Sequence, residues 1–343
     1  MRKGLFLQYI ICVLKKLIIS AFVLCGFATD AQIGENVYPF LNIPASARQA
    51  ALGGDAVSVR DYDVNFSAVN PALLNEDMHK RIALNAATYL AGSTYGTLNY
   101  GHVFERGHMI SAHARYMDYG RMPRTDEAGF ENGEFGAFDL AIGAGYAYNF
   151  EKSWTIGASV NLINAKIDNY TSMAVAGNFG VAYHFEESKE TIGLVARNFG
   201  YQFKTFNGLR EDLPFRVDLG YTKILKKFPA AVTVTIHDLQ QFDISSEYDS
   251  NGQEVRATRK VLDHFSFGAE FFPESPFNLR LGYNVKRGNE LSVTDQRSFA
   301  GLSAGFGVKF NTLRIDYSHV RYHNAGNMNM LGIALDMSGH RFQ

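Results

Sequence analysis

The chain has 343 residues, with 33 Lys+Arg against 34 Asp+Glu, for a net charge of −1. Without excess cations to neutralise phosphates, it is no polybasic nucleic-acid binder. With 46% hydrophobic residues it is no disordered chain, and no stretch after the first thirty residues reaches the roughly 18 apolar residues of a spanning helix.

Residues 1–31 read as a secretory signal peptide. Arg2, Lys3, Lys15 and Lys16 precede an apolar run from Leu17 to Ala28, and Thr29 and Ala31 put small residues where a signal peptidase cuts, between Ala31 and Gln32. Both cysteines, Cys12 and Cys25, fall in this segment, so the exported chain has no disulfide, Cys nucleophile or Cys-ligated metal. Leu24 stands before Cys25 where lipid attachment wants a small residue, which argues against a lipoprotein.

Residues 32–79 lack sustained alternation. Ala45–Leu52 favours a short helix, and Gly53-Gly54 would end it by taking a left-handed cap. The apolar content of this region predicts a hatch folded into a lumen.

From residue 80 onward the hydrophobic period is 2. Phe138, Leu140, Ile142, Ala144, Tyr146, Tyr148 and Phe150 alternate with small or polar residues, and similar stretches follow at Trp154–Leu162, Met173–Phe185, Phe265–Phe271 and Leu302–Phe310. Fourteen such segments are predicted, at 80–90, 95–105, 108–117, 135–150, 154–167, 172–185, 191–199, 214–225, 230–239, 262–272, 277–285, 299–310, 312–322 and 329–337. Many reach the length a tilted strand needs to cross a bilayer, longer than the usual strand of a soluble sandwich. Connections after even-numbered segments are short. Those after segments 3, 7, 9 and 11 are long: Asp118–Glu134, Gly200–Leu213, Gln240–Val261 and Lys286–Ser298. This sorting predicts an all-β, transmembrane antiparallel outer-membrane barrel of about 14 strands, residues 80–343, with both termini periplasmic and long loops extracellular. Aromatics beside the short turns, among them Phe104, Tyr148, Phe150, Trp154, Phe185, Phe272, Phe277 and Phe310, form the expected interfacial girdle.

The alternation also predicts which charges face inward: His113, Arg115, Asp139, Arg197, Arg216, Asp218, His237, Glu270, Arg280, Lys309, Arg314 and Asp316. Both signs occur together, which favours ion pairs joining hatch and wall over a charged substrate path.

No enzyme is read here. Gly301-Leu302-Ser303-Ala304-Gly305 matches a hydrolase elbow but lies in an alternating strand, where the motif needs a strand-to-helix turn. His319 and His323 are four apart, which aligns ligands only on a helix, and Asp61 and Asp63 flanking Tyr62 read as a polar turn. No catalytic residue, cofactor site or metal site is predicted.

The hatch strings carry a resemblance. Phe40-Leu41-Asn42-Ile43-Pro44-Ala45-Ser46-Ala47-Arg48, Ala51-Leu52-Gly53-Gly54 and Asn70-Pro71-Ala72-Leu73-Leu74 resemble the PorV/PorQ branch of the FadL-like outer-membrane barrels of Bacteroidetes. Asn70, Pro71 and Ala72 look like the hatch motif shared with the long-chain fatty acid transporter. Arg60-Asp61-Tyr62-Asp63-Val64-Asn65 and His237-Asp238-Leu239 look most like the PorQ kind. The resemblance covers essentially the whole chain after the signal peptide. It implies a non-enzymatic component of the type IX secretion system, anchoring the surface protein PorZ beside PorU and PorV. That complex matures cargo and links it to lipopolysaccharide. The other function it leaves open is a FadL-like channel for hydrophobic small molecules. Docking would fall to the long loops, where Tyr201, Phe203, Phe206 and Arg210 mix aromatics with a cation, the usual anchors of an interface. The expected partners are these proteins and outer-membrane lipid, with no nucleic acid.

Overall fold

A computed structural model describes residues 36–339 apart from 106, 127, 152, 247, 249–252, 291–298 and 324–325. The segment expected to be a signal peptide, its expected cleavage residues Ala31 and Gln32, and most of the last predicted long loop lie outside the described residues.

Fourteen antiparallel strands close into one barrel in which each pairs with its chain neighbours and β1 pairs with β14. They are β1 Arg81–Thr88, β2 Thr94–Glu105, β3 His108–Thr125, β4 Glu131–Phe150, β5 Trp154–Ile167, β6 Tyr170–Phe185, β7 Glu190–Lys204, β8 Arg216–Ile224, β9 Ala230–Ile236, β10 Phe265–Phe271, β11 Phe277–Asn284, β12 Leu302–Phe310, β13 Leu313–His323 and β14 Gly326–Asp336. Each falls on one of the fourteen alternating segments. Among the described residues three short α-helices lie outside the strands, besides single 3-10 turns: α1 Ala47–Ala51, α2 Ala257–Asp263 and α3 Val285–Glu290.

Period 2 decides the two faces. On β4 the Leu140, Ile142, Tyr146 and Tyr148 side chains point out, while Ala137, Asp139, Ala141 and Ala147 point in and are buried. The same greasy-out, small-or-polar-in division runs round the wall, as a lipid-facing barrel requires and a soluble one reverses. At the short-turn mouth the rings of Tyr148, Phe150, Trp154, Tyr183 and Phe185 touch in succession across three strands. That is the predicted girdle.

The wall is uneven at the long-loop mouth. β4 has 20 residues and β3 has 18, whereas β9 and β10 have 7 each. Two predicted loops are therefore partly strand. Most of the stretch 118–134 belongs to β3 and β4, and 200–204 belongs to β7. Alternation resumes beyond a bulge at Asn198, whose φ of 58° lies in the left-handed region, so Phe199, Tyr201 and Phe203 all face outward.

Candidate functional site: the hatch inside the barrel

The hatch threads the lumen from mouth to mouth. Val37 N donates to Asp212 O in the β7–β8 connection (3.0 Å), and the Tyr38 hydroxyl pairs with Ser172 near the outer end of β6 (2.5 Å). These contacts put the start of the hatch at the long-loop mouth. The barrel strands begin and end at the short-turn mouth, where Met337 N donates to Lys80 O (3.0 Å), whereas the hatch at Val37 lies at the opposite mouth.

Local chemistry shapes the plug. Ser46 caps α1 by accepting from Gln49 N (3.1 Å), and Gly53 and Gly54 leave the helix with φ of 92° and 94°, the left-handed exit expected of them. Asn70 caps the 3-10 turn Pro71–Leu73 by accepting from Ala72 N (3.1 Å), while its Nδ2 donates to Val57 O (2.9 Å). The Asn70-Pro71-Ala72 motif is thus a buried corner that ties two hatch segments together.

The wall has been carved to admit this corner. A Cβ on Gly180 of β6 would lie 2.0 Å from Asn70 Oδ1, and one on Gly157 of β5 would lie 2.4 Å from the Pro71 carbonyl carbon. On β7, a Cβ at Gly193 would meet Val57 O at 2.5 Å, and on β11 one at Gly282 would meet Gly53 N at 2.2 Å. Gly157 faces Gly180 and Gly193 faces Gly220 across the sheet, so the glycines form a patch of bare backbone. In the sequence Gly157 and Gly180 fall on the small face of their alternating strands. Their spacing on neighbouring strands was the signal for a hatch-docking surface.

All twelve inward charges and histidines are buried against hatch or wall. One network centres on Arg48 of the hatch. Its Nη2 lies 2.6 Å from Glu270 of β10 and 2.6 Å from Asp61. Glu270 also pairs with Arg280 (2.8 Å), which reaches Asp316 (2.7 Å). Arg314 closes the circuit between Asp316 (2.8 Å) and Asp63 of the hatch (3.3 Å). Tyr62 sits inside it, its ring within 5.9 Å of the Arg48, Arg81, Lys309 and Arg314 cations. Burial pushes the Tyr62 phenol up to about 12, against the pull of Arg314 and Arg48. The Asp61–Asp63 pair is therefore part of an ion-paired clamp; among the described residues no cluster of three metal-ligating groups occurs.

A second network holds the hatch at Asp55. Arg216 of β8 reaches Asp55 (2.9 Å), Asp218 (3.1 Å) and Asp238 (3.3 Å), and Asn284 donates to Asp55 (2.7 Å). Burial alone would raise the Asp55 pKa; Arg216, His237, Arg287 and Arg197 outweigh it and hold the carboxyl well below the usual range. Higher up, Arg115 of β3 donates to Leu41 O (2.6 Å) and Ala68 O (3.0 Å), gripping hatch backbone with a wall guanidinium.

Other singled-out residues prove structural. Ser303 Oγ donates to Ala51 O (3.0 Å) and accepts from Gly53 N (3.2 Å), so the serine of the elbow-like string seats the end of α1. His319 faces outward on β13 and pairs with Asn329 (2.8 Å). Of the four docking residues assigned to a loop, Tyr201 and Phe203 are outward strand residues, and Phe206 turns in against the apolar cluster that contains Tyr38 and Leu213. Only Arg210 stays in the exposed connection, its guanidinium 4.0 Å from the Tyr201 ring centre.

The loop-side half of the lumen is different in character. Phe40, Leu41 and Ile43 of the hatch pack with Tyr95, Met117, Ile163, Leu213, Val320, Met328 and Met330 of the wall in one buried apolar cluster. At the opposite mouth, Arg60, Asn75, Asp77, His184 and Glu186 line a polar recess of about 560 Å³.

No family model matches the chain, and no curated protein matches it. Solved structures do. The toluene transporter TbuX of Ralstonia pickettii is similar with a TM-score of 0.57 and 12% identity over 89% of this chain and 100% of that one. The toluene transporter TodX of Pseudomonas putida is similar with a TM-score of 0.50 and 12% identity over 85% and 96%. A FadL homologue of Pseudomonas aeruginosa scores 0.49 at 10% identity, over 85% and 98%. By fold the chain is thus a closed antiparallel β-barrel of fourteen strands around an inward-folded amino-terminal hatch. That is the fold it shares with the toluene transporters.

Proposed function

We propose that the chain is a hatch-gated channel for small hydrophobic molecules, resident in the outer membrane with its long loops outside. The observation that carries this reading is the buried apolar cluster in the loop-side half of the lumen, where Phe40 and Leu41 of the hatch pack against the wall. A barrel wall held to its plug only by ion pairs has no need of inward Tyr95, Met117, Ile163, Met328 and Met330. Methionine side chains repack readily around varied shapes, which suits a site that exchanges hatch residues for solute. The fold shared with toluene transporters supports the same reading. The test is uptake of labelled toluene and of a labelled long-chain fatty acid into proteoliposomes. Phe40→Ala with Leu41→Ala hollows out this cluster and raises uptake or binding; a barrel that takes up and binds neither solute, with or without the two substitutions, overturns it.

A second reading is favoured by the hatch strings and by the clamps around Arg48 and Asp55. A plug anchored at both networks suits a non-enzymatic scaffold. On this reading the barrel is a PorQ-like subunit of a type IX secretion attachment complex, anchoring PorZ with PorU and PorV. Affinity purification from outer membranes in mild detergent tests it: PorZ co-purifies, and a barrel that emerges alone removes the reading.

A further inference from the structure

The wall at β9 and β10 is too short to cross a membrane by its strands. Seven residues at about 3.3 Å each, tilted by about 40°, rise roughly 18 Å, against an apolar band of about 25 Å in barrels of this kind. Beside this sector β7 continues through Lys204, and its last residues have no ladder partner on β8, where pairing stops at Arg197 and Arg216. The result is a notch in the loop-side half of the wall.

The notch is filled by the β9–β10 connection. Its two ends are held together: the His264 ring nitrogens lie 2.7 Å from His237 O and 3.1 Å from Phe242 O, and Lys260 pairs with Asp243. The irregular backbone at its start is tied into the wall and into its own far end. His237 N donates to His264 O (2.8 Å), Asp238 N to Asp218 Oδ1 (3.1 Å) and Leu239 N to Val217 O (2.8 Å). Paired backbone donors are what a segment out of reach of water requires.

The outward side chains continue the apolar ladders of the strands below. Above Ile236 of β9 comes Leu239, above Phe265 of β10 come Leu262 and Val261, and before Val217 of β8 comes Phe215. Phe242 is 64% exposed and Leu262 55%. We infer that this connection is itself lipid-facing wall, and that the occupant of its exposed apolar surface is the acyl-chain layer of the membrane. Continuity decides for lipid over a protein partner. A bilayer edge is level, and with Leu239, Phe242 and Leu262 included the belt over the short strands rises toward the height set by Tyr201 and Phe203 of β7. Without them the belt is short by about 7 Å on one side, a mismatch that costs a fraction of a kcal/mol for each Å.

The inference rests on the barrel spanning a membrane, and the test separates the two. Both cysteines of the chain precede residue 32, so Phe242→Cys, Leu262→Cys, Leu281→Cys and Arg256→Cys each give one labelling site in the exported barrel. Nitroxide labels in phosphatidylcholine vesicles are probed for collision with oxygen and with a water-soluble nickel chelate. Leu281, outward on β11, is the mid-belt reference, and exposed Arg256 the aqueous one. The expected result is that labels at 242 and 262 behave as 281 does, with oxygen collisions exceeding nickel collisions several-fold. If 281 is immersed but 242 or 262 follows 256, or is reached by neither reagent, the inference fails while the barrel reading stands. If 281 itself is nickel-accessible, the membrane-spanning reading fails first.

Discussion

Replacing Arg48 by Met should release the hatch while leaving the barrel closed. Arg48 is buried and makes contacts with Glu270 on the wall and Asp61 and Asp63 in the hatch. Methionine keeps most of the volume but strips the shared counter-charge. Glu270 retains Arg280, and Asp63 retains Arg314, so the loss is partial at each carboxylate. Removing one partner of a buried ion pair costs about 3–5 kcal/mol when the other charge is left bare. With two of three carboxylates still paired, about 3 kcal/mol is the appropriate end of that range. That is a shift of about a hundredfold in the hatch-docking equilibrium. Protease cleavage within the hatch as a function of urea reads this equilibrium, and migration of unheated sample on a gel reads the barrel. Arg48→Met with Glu270→Met restores part of the loss, because the wall no longer buries a half-paired carboxylate. If Arg48→Met cleaves no faster than the natural sequence while the barrel is intact, the clamp does not hold the hatch and the reasoning fails.

Three further outcomes follow from the same geometry. Gly180→Ala, whose Cβ would strike Asn70 Oδ1, and Gly157→Ala, which would strike hatch backbone, each destabilise hatch docking by about 1–3 kcal/mol, whereas Gly136→Ala, with its nearest neighbour at 3.7 Å, leaves it unchanged in the same protease assay. The Asp55 carboxyl is held below its ordinary range, so its contribution is fully present above about pH 4 and is lost as pH falls through its lowered value; hatch release is flat from pH 8 to 5 and rises below the ordinary carboxylate range. Asp55→Asn removes that acid limb, and an unaltered acid profile would show that another group governs it. Ser303→Ala weakens hatch docking by about 1 kcal/mol through its lost bonds to Ala51 and Gly53 and leaves any ester hydrolysis of the preparation at background, measured with a chromogenic short-chain ester.

The sequence determined the barrel. Period-2 alternation sends each side chain to one of two faces, so a count of about fourteen strands and the inward set of charges are legible in residues 80–337. That includes Glu270, Arg280, Arg314 and Asp316, each opposite an apolar neighbour in the chain. What alternation could not supply is height. Tyr201 and Phe203 looked like loop residues because a bulge at Asn198 shifts the period by one, and only pairing with β6 shows that the strand continues. The hatch was legible as a plug and through its caps at Ser46 and Asn70, which are local. Its path was not. That Arg48 meets Glu270 across 222 residues, that Asn70 needs a glycine at 180, and that Val37 lies at the long-loop mouth are long-range matters of shape and charge, which exist only once the wall has closed around the plug.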